Sequence, residues 1–176
     1  MTHPEFSRPH RLDQIGAGES EVRIAADDAE RAALSRRFGL KTIEKLEAVY
    51  HLRRDPQGVM ARGHLSARLT QACVVTGDSL LAKVEQDFAI RFLPEPTAGG
   101  GEDEVELTED ECDTVFYAGG TIDLGEAAAE TMALELDPYP RGPRAAEVLR
   151  AAGVKSEDEA TPVNALAGLK DLLAKK

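Results

Sequence analysis

Residues 59–75, "VMARGHLSARLTQACVV", decide the fold, because apolar and polar side chains take turns along them. Val59, Ala61, Leu65, Ala67, Leu69, Cys73 and Val75 fall on one side, and Arg62, His64, Ser66, Arg68 and Thr70 on the other. A period of two is the mark of a strand with one buried and one wet face. The same pattern stands on both sides. In 41–55, "KTIEKLEAVYHLRRD", Leu46, Ala48, Tyr50 and Leu52 oppose Lys45, Glu47, His51 and Arg53. In 80–94, "LLAKVEQDFAIRFLP", Ala82, Val84, Phe88, Ile90 and Phe92 oppose Lys83, Glu85, Asp87 and Arg91. The joints "DPQG" (55–58) and "TGDS" (76–79) have turn chemistry. Three such segments in a row predict an antiparallel meander, either an open sheet or a partial barrel.

Towards the N-terminus, "EVRIAA" (21–26) reads as a short strand, and Pro9 confines "EFSRPHRLDQI" to an edge or an irregular start. Between them and the meander, "DDAERAALSRRFG" carries helix punctuation: Asp27 and Glu30 form a capping-box pattern, Arg36 and Arg37 fall in the last turn, and Gly39 stops it. Beyond the meander, "TVFYAGGTIDLGEAAAETMALELDPYP" predicts a strand, a Gly-Gly turn and a helix capped by Asp123, with Glu126 completing a second capping box. Leu124, Ala127, Ala128, Thr131 and Leu134 form its expected buried stripe. A short helix in "RAAEVLRAAG" and a polar linker lead to "VNALAGLKDLLAKK", where Leu166, Leu169 and Leu173 share a narrow stripe. The expected class is therefore α+β: one domain over 1–153, then a linker and amphipathic C-terminal segment over 154–176.

Charge divides the chain. Residues 1–94 carry 14 Lys and Arg against 13 Asp and Glu, while 95–176 carry 7 against 19, so the net charge of -11 lies almost wholly in the second half. Nine of those acids crowd into 95–113, where self-repulsion predicts a mobile loop. A nearly neutral first half leaves room for a nucleic-acid-binding face. No apolar run suits a signal peptide or a membrane span, and two cysteines suit a reducing cytoplasm better than a disulfide framework.

Catalytic motifs are missing: there is no P-loop, no G-x-G-x-x-G after a strand, no G-x-S-x-G and no H-E-x-x-H. Cys73 admits three readings: half of a lost zinc site, a reactive thiol, or a small apolar side chain at a strand end. Its parity with Leu69 and Val75 favours the last, since a thiol among apolar groups is inert. Zinc wants four Cys or His ligands, whereas Thr76 stands where a C-x-x-C would place its second thiol. Cys112, in the acidic loop, reads as an exposed thiol. No cofactor and no metal are expected, and the chain does not read as an enzyme.

What remains is a surface. Lys45, His51, Arg53, Arg62, His64, Arg68 and Arg91 share the wet face of the meander, interrupted by Glu47, Glu85 and Asp87. Cations aligned across strands suit phosphate contacts, with Ser66 and Thr70 adding hydrogen bonds. No aromatics interleave there, so base stacking is not supported.

The ordered run "EFSRP", "ARLTQACVVTGD", "FAIRFLP", "GGTIDLGEAAAET", "LDPYP" and "VNALAGLKDLL" resembles the YceD-like family of large ribosomal RNA subunit accumulation proteins. Its most specific parts are Ile122, Asp123, Leu124 and Glu130, and the tail beginning at Asn164. The resemblance implies a cytoplasmic bacterial assembly factor for the large subunit, without catalytic residues. It also implies a metal site in many relatives, which pair a C-x-x-C at Cys73 with a second cysteine pair after the Pro-rich stretch. Here "PYPRGPRAAEV" has no cysteine, so this chain resembles a metal-ligand-depleted subgroup. The expected partner is large-subunit ribosomal RNA or a pre-ribosomal particle, with no membrane involved. The alternative is that the acidic second half chaperones a basic large-subunit ribosomal protein.

Overall fold

A computed structural model describes residues 4–95 and 113–154. The elements run β1 (Pro9–Arg11), a 3-10 turn (Leu12–Gln14), β2 (Ser20–Ala25), α1 (Asp28–Arg37), β3 (Thr42–Arg54), β4 (Val59–Ala72), β5 (Ser79–Pro94), β6 (Asp113–Tyr117), β7 (Thr121–Asp123), α2 (Leu124–Leu134) and α3 (Ala145–Ala151). The main sheet has the order β2-β3-β4-β5-β6, and a second, two-stranded sheet pairs β1 with β7. The class is α+β as expected, and the meander is an open sheet whose ends are β2 and β6.

The alternation in the sequence becomes the two faces of β3, β4 and β5. Leu46, Ala48, Tyr50 and Leu52 meet Val59, Ala61, Leu65, Ala67, Leu69, Val84, Ile90 and Phe92 in one buried cluster. Ile43 joins them despite its odd number, because the register slips between Ile43 and Lys45. Such a bulge gives one strand an extra residue and resets its parity. Opposite Gly63 stand Tyr50 on β3 and Phe88 on β5. A Cβ at Gly63 would come within 2.0 Å of the Val49 carbonyl oxygen. Without one, the two rings close over the position at 4.9 Å between centroids.

α1 packs on β3, and α2 on β4 and β1. Asp27 caps α1 in a full capping box with Glu30, as the sequence indicates. At α2 only half of the expected box forms. Asp123 accepts from the Gly125 and Glu126 N–H groups, but Glu126 turns away to meet Arg37 at 2.7 Å. An ion pair between two helices takes the carboxylate that a local cap would use. Leu124, Ala127, Ala128 and Thr131 are buried as expected, and the stripe of α2 widens to Ala129 and Met132, whereas Leu134, expected inside, is 76% exposed at the helix end. Two pairings escape the pattern. β6 adds to β5 in parallel, and β1 and β7 leave the main sheet to pair with each other.

The N-terminal strap accounts for the second of these. Phe6 is fully buried, and Arg8 grips Glu30 with both guanidinium nitrogens, at 2.6 and 2.8 Å. Ser7 and the Arg8 N–H bind Asp123, and a Cβ at Gly125 would come 2.5 Å from the Phe6 carbonyl oxygen. The strap thus lies against the start of α2, where only glycine leaves it room. The acidic segment between β5 and β6, with Cys112, and the linker and C-terminal segment, with Asn164, lie outside the described residues. Among the described residues no helix is long and apolar enough to cross a membrane.

Candidate nucleic-acid interface

Directly opposed residues in a sheet share a face, so the register sorts the wet side into rows. At one end lie Lys45, Arg68 and Lys83, one cation on each of three adjacent strands. Strands sit about 4.8 Å apart, so this row presents three charges within one short span. The next rows are Glu47–Ser66–Glu85, Val49–His64–Asp87 and His51–Arg62–Ala89. Arg53, Met60 and Arg91 close the far end. The two cationic ends, marked by Arg68 and Arg62, stand about 20 Å apart along β4.

The seven sequence candidates are not equivalent. Arg53, Arg62 and Arg68 are exposed, and no carboxylate among the described residues lies within ion-pair distance of them. Lys45 leans on Glu47 at 3.0 Å and on the Ser66 hydroxyl. His51 sits 3.5 Å from Glu19. His64 lies between Glu85, at 2.9 Å, and Asp87, at 2.7 Å. Those two carboxylates, Glu85 first, raise its pKa above the usual imidazole value. In return His64 and then Lys83 hold the Glu85 carboxyl down at about 2. Arg91 is withdrawn: it is paired with Asp55, and its side chain is only 17% exposed. Thr70 is buried rather than wet, and bonds Glu44.

Lys83 was missing from the candidate set, though it completes the cationic row. Parity alone placed it on the wet face. Only the β4–β5 register, fixed by the turn after Ala72, sets it beside Arg68.

The family-signature residues do different work. Ile122 and Leu124 are buried, and the Tyr50 hydroxyl donates to the Leu124 carbonyl at 2.8 Å. Glu130 is exposed on α2, its carboxyl pushed up by partial burial and then by Glu126.

Cys73 is the first residue after β4, and it is buried. Its surroundings are less inert than its parity suggests. The Gly142 N–H points at Sγ from 3.3 Å and, with the Thr76 side chain next in effect, draws the thiol down to about 7. Two further links join the same turns: Val74 N–H to the Pro140 carbonyl at 2.9 Å, and the carboxylate of Asp78 to Arg144. The fold therefore brings together the two stretches in which the family resemblance implies cysteine pairs. Zinc does not fit the residues present. The Cys73 sulfur accepts a hydrogen bond from the Gly142 N–H, the Asp78 carboxylate is paired with Arg144, and no group of three or more metal-binding side chains occurs among the described residues.

No curated protein and no solved structure matches the chain. A family model described as large ribosomal RNA subunit accumulation protein YceD matches residues 61–173, from the middle of the meander through the α2 signature to the last leucine of the tail. The chain belongs to this YceD family, a non-catalytic family of ribosome biogenesis involved in large-subunit ribosomal RNA accumulation.

Proposed function

We propose that the protein serves large-subunit assembly by direct contact with ribosomal RNA or the pre-ribosomal particle, through the wet face of β3–β5. The observation that carries this reading is the Lys45–Arg68–Lys83 row, in which the lysines lean on Glu47 and Glu85 while Arg68 has no carboxylate partner among the described residues, with Arg53 and Arg62 at the other end likewise unclaimed there. The acidic rows between keep the middle of the face from gripping phosphate, so binding concentrates at two points. Contacts of this kind position RNA by its backbone rather than read its bases. The face offers no aromatic platform, in keeping with structured rather than single-stranded RNA. On this reading the chain is a metal-ligand-depleted member of the family, acting in the cytoplasm.

The test is binding of a large-subunit RNA fragment across a salt series. Each phosphate neutralised adds about 0.7–0.9 to the log-log salt slope. Arg62→Glu with Arg68→Glu should weaken binding and flatten the slope by about 1.5 on that scale. An unchanged slope and affinity would refute direct contact. One further observation favours a second reading, in which a basic ribosomal protein is the partner: the excess of 19 acids over 7 bases in residues 95–176. Capture of such a protein that survives nuclease but fails once residues 95–113 are deleted would establish it.

A further inference from the structure

Where the end of β4 meets the ends of α1 and α2 lies a cleft of about 310 Å³, its wall mixing Phe38, Leu40, Val74 and Leu136 with the polar Gln71 and Asp137. A cavity of about 150 Å³ already accepts a benzene-sized guest, so this one has room for more than one leucine. Val74 is 53% exposed, and Leu134 and Tyr139, chain neighbours of the lining, are 76% and 72% exposed. Apolar surface gathered around a concavity marks a docking place.

The end of the described chain stands close by. Val74 donates its N–H to the Pro140 carbonyl, and Ala145, the first residue of α3, donates to Gly142. α3 is short, and Val154 folds back to donate to the Leu149 carbonyl at 2.9 Å. Residue 154 therefore lies within about 20 Å of the cleft wall at Pro140. The eight residues 155–162 reach about 26–29 Å when extended. They are long enough to bring the following segment back. That segment, "VNALAGLKDLL" (163–173), sets Leu166, Leu169 and Leu173 at helical spacing. Its charges suit the cleft as well: Lys170, Lys175 and Lys176 outnumber Asp171 on the tail, and Asp137 is the charged residue of the lining. The family match runs through residue 173, so the leucines belong to the matched region.

We propose that the cleft is the docking site of this chain's own residues 163–173, taken up as a short helix with the three leucines facing inward. A segment of 11 residues is below the length at which a helix holds in water by itself, so docking and helix formation go together. The inference is independent of the RNA reading.

Amide hydrogen exchange on the full chain tests it. Residues 166–173 should exchange about tenfold or more slowly than an unstructured peptide, the least that burial of one leucine supplies. Both Leu169→Asp and Val74→Asp should return them to the unstructured rate, with the strands β3–β5 still protected. Val74 is half exposed, so an aspartate there is compatible with the fold. Should it nonetheless loosen the sheet, Leu169→Asp alone decides, because the amides of Ala72, Val74 and Leu136 must then change. Three results would overturn the proposal. One is exchange of the tail at the unstructured rate in the native chain, and another is protection that survives both substitutions. Protection that rises with concentration, at twice the monomer mass, would assign the cleft to a second copy's tail.

Discussion

Replacing Asp123 by alanine tests how the fold is joined. Its carboxylate accepts from four donors: the Ser7 hydroxyl, the Arg8 N–H at 2.8 Å, and the N–H groups of Gly125 at 3.0 Å and Glu126 at 3.2 Å. Loss of an N-cap costs about 1 kcal/mol. The two links to the strap are hydrogen bonds to a charged group, and partial exposure puts them near the low end of about 1.5–3 kcal/mol each. Relaxation of the strap and water entry offset part of that sum, leaving about 3 kcal/mol for Asp123→Ala. For a chain of this size 1 kcal/mol moves Tm by about 2–4 °C, so the expected fall is about 6–12 °C. Asp123→Asn separates the contributions. Asparagine caps as well as aspartate, its carbonyl keeps the Arg8 bond, and the Ser7 hydroxyl can turn to accept from the new amide. It should lose about 1 kcal/mol. Thermal and urea unfolding followed by circular dichroism measure both variants. A fall below about 2 °C for alanine, or equal effects of alanine and asparagine, would refute the account of the joint.

His64 and the Cys73 turn give two more outcomes. The folded pKa of His64 is raised by Glu85 and Asp87, so its stabilising contribution is complete below the unfolded value of about 6.5 and is lost as pH rises through the folded value. The urea midpoint of the native chain should therefore exceed that of His64→Gln at pH 5.5 by more than at pH 9, and a gap independent of pH would contradict the clasp. At the Cys73 turn, the purified protein should hold no stoichiometric zinc by atomic absorption, and a strong chelator should leave Tm unchanged. Bound zinc, or a lower Tm after chelation, would show that other ligands complete the site.

The meander was legible because alternation and burial obey one rule along β3, β4 and β5, and so was α1, whose punctuation is all local. Distant partners were not legible. Glu126 matches a capping box in every local respect, yet Arg37, 89 positions away, takes its carboxylate. Leu134 fits the stripe of α2, but as the last residue of the helix it stands exposed. On the candidate face the sequence supplied the side and the structure supplied the neutralisation. Nothing local to Arg91 announces Asp55, and nothing local to His64 announces that two carboxylates flank it. Cys73 shows the same limit. Its expected burial is right, but the Gly142 N–H that polarises it arrives from 69 positions away.

Of the residues that mark the family, Ile122, Asp123 and Leu124 lie beneath the main sheet, on the side opposite the residues proposed to meet RNA. Beneath it, Tyr50 holds the Leu124 carbonyl, Ile122 is buried, and Asp123 ties the strap to α2. A joint of this kind dictates chemistry atom by atom, because four donors converge on one short carboxylate. A phosphate contact is more permissive: Lys or Arg, or a cation in the next row, neutralises the same charge. Sequence signatures therefore gather at joints and are sparse on a contact face of this type. The two faces should fail differently. Asp123→Ala lowers stability and reduces RNA binding only in proportion to the unfolded fraction. Arg62→Glu with Arg68→Glu weakens binding while leaving Tm close to native, since neither side chain is buried or paired among the described residues. A protein whose Asp123→Ala form lost RNA affinity while still folded would place the contact beneath the sheet, at the signature itself.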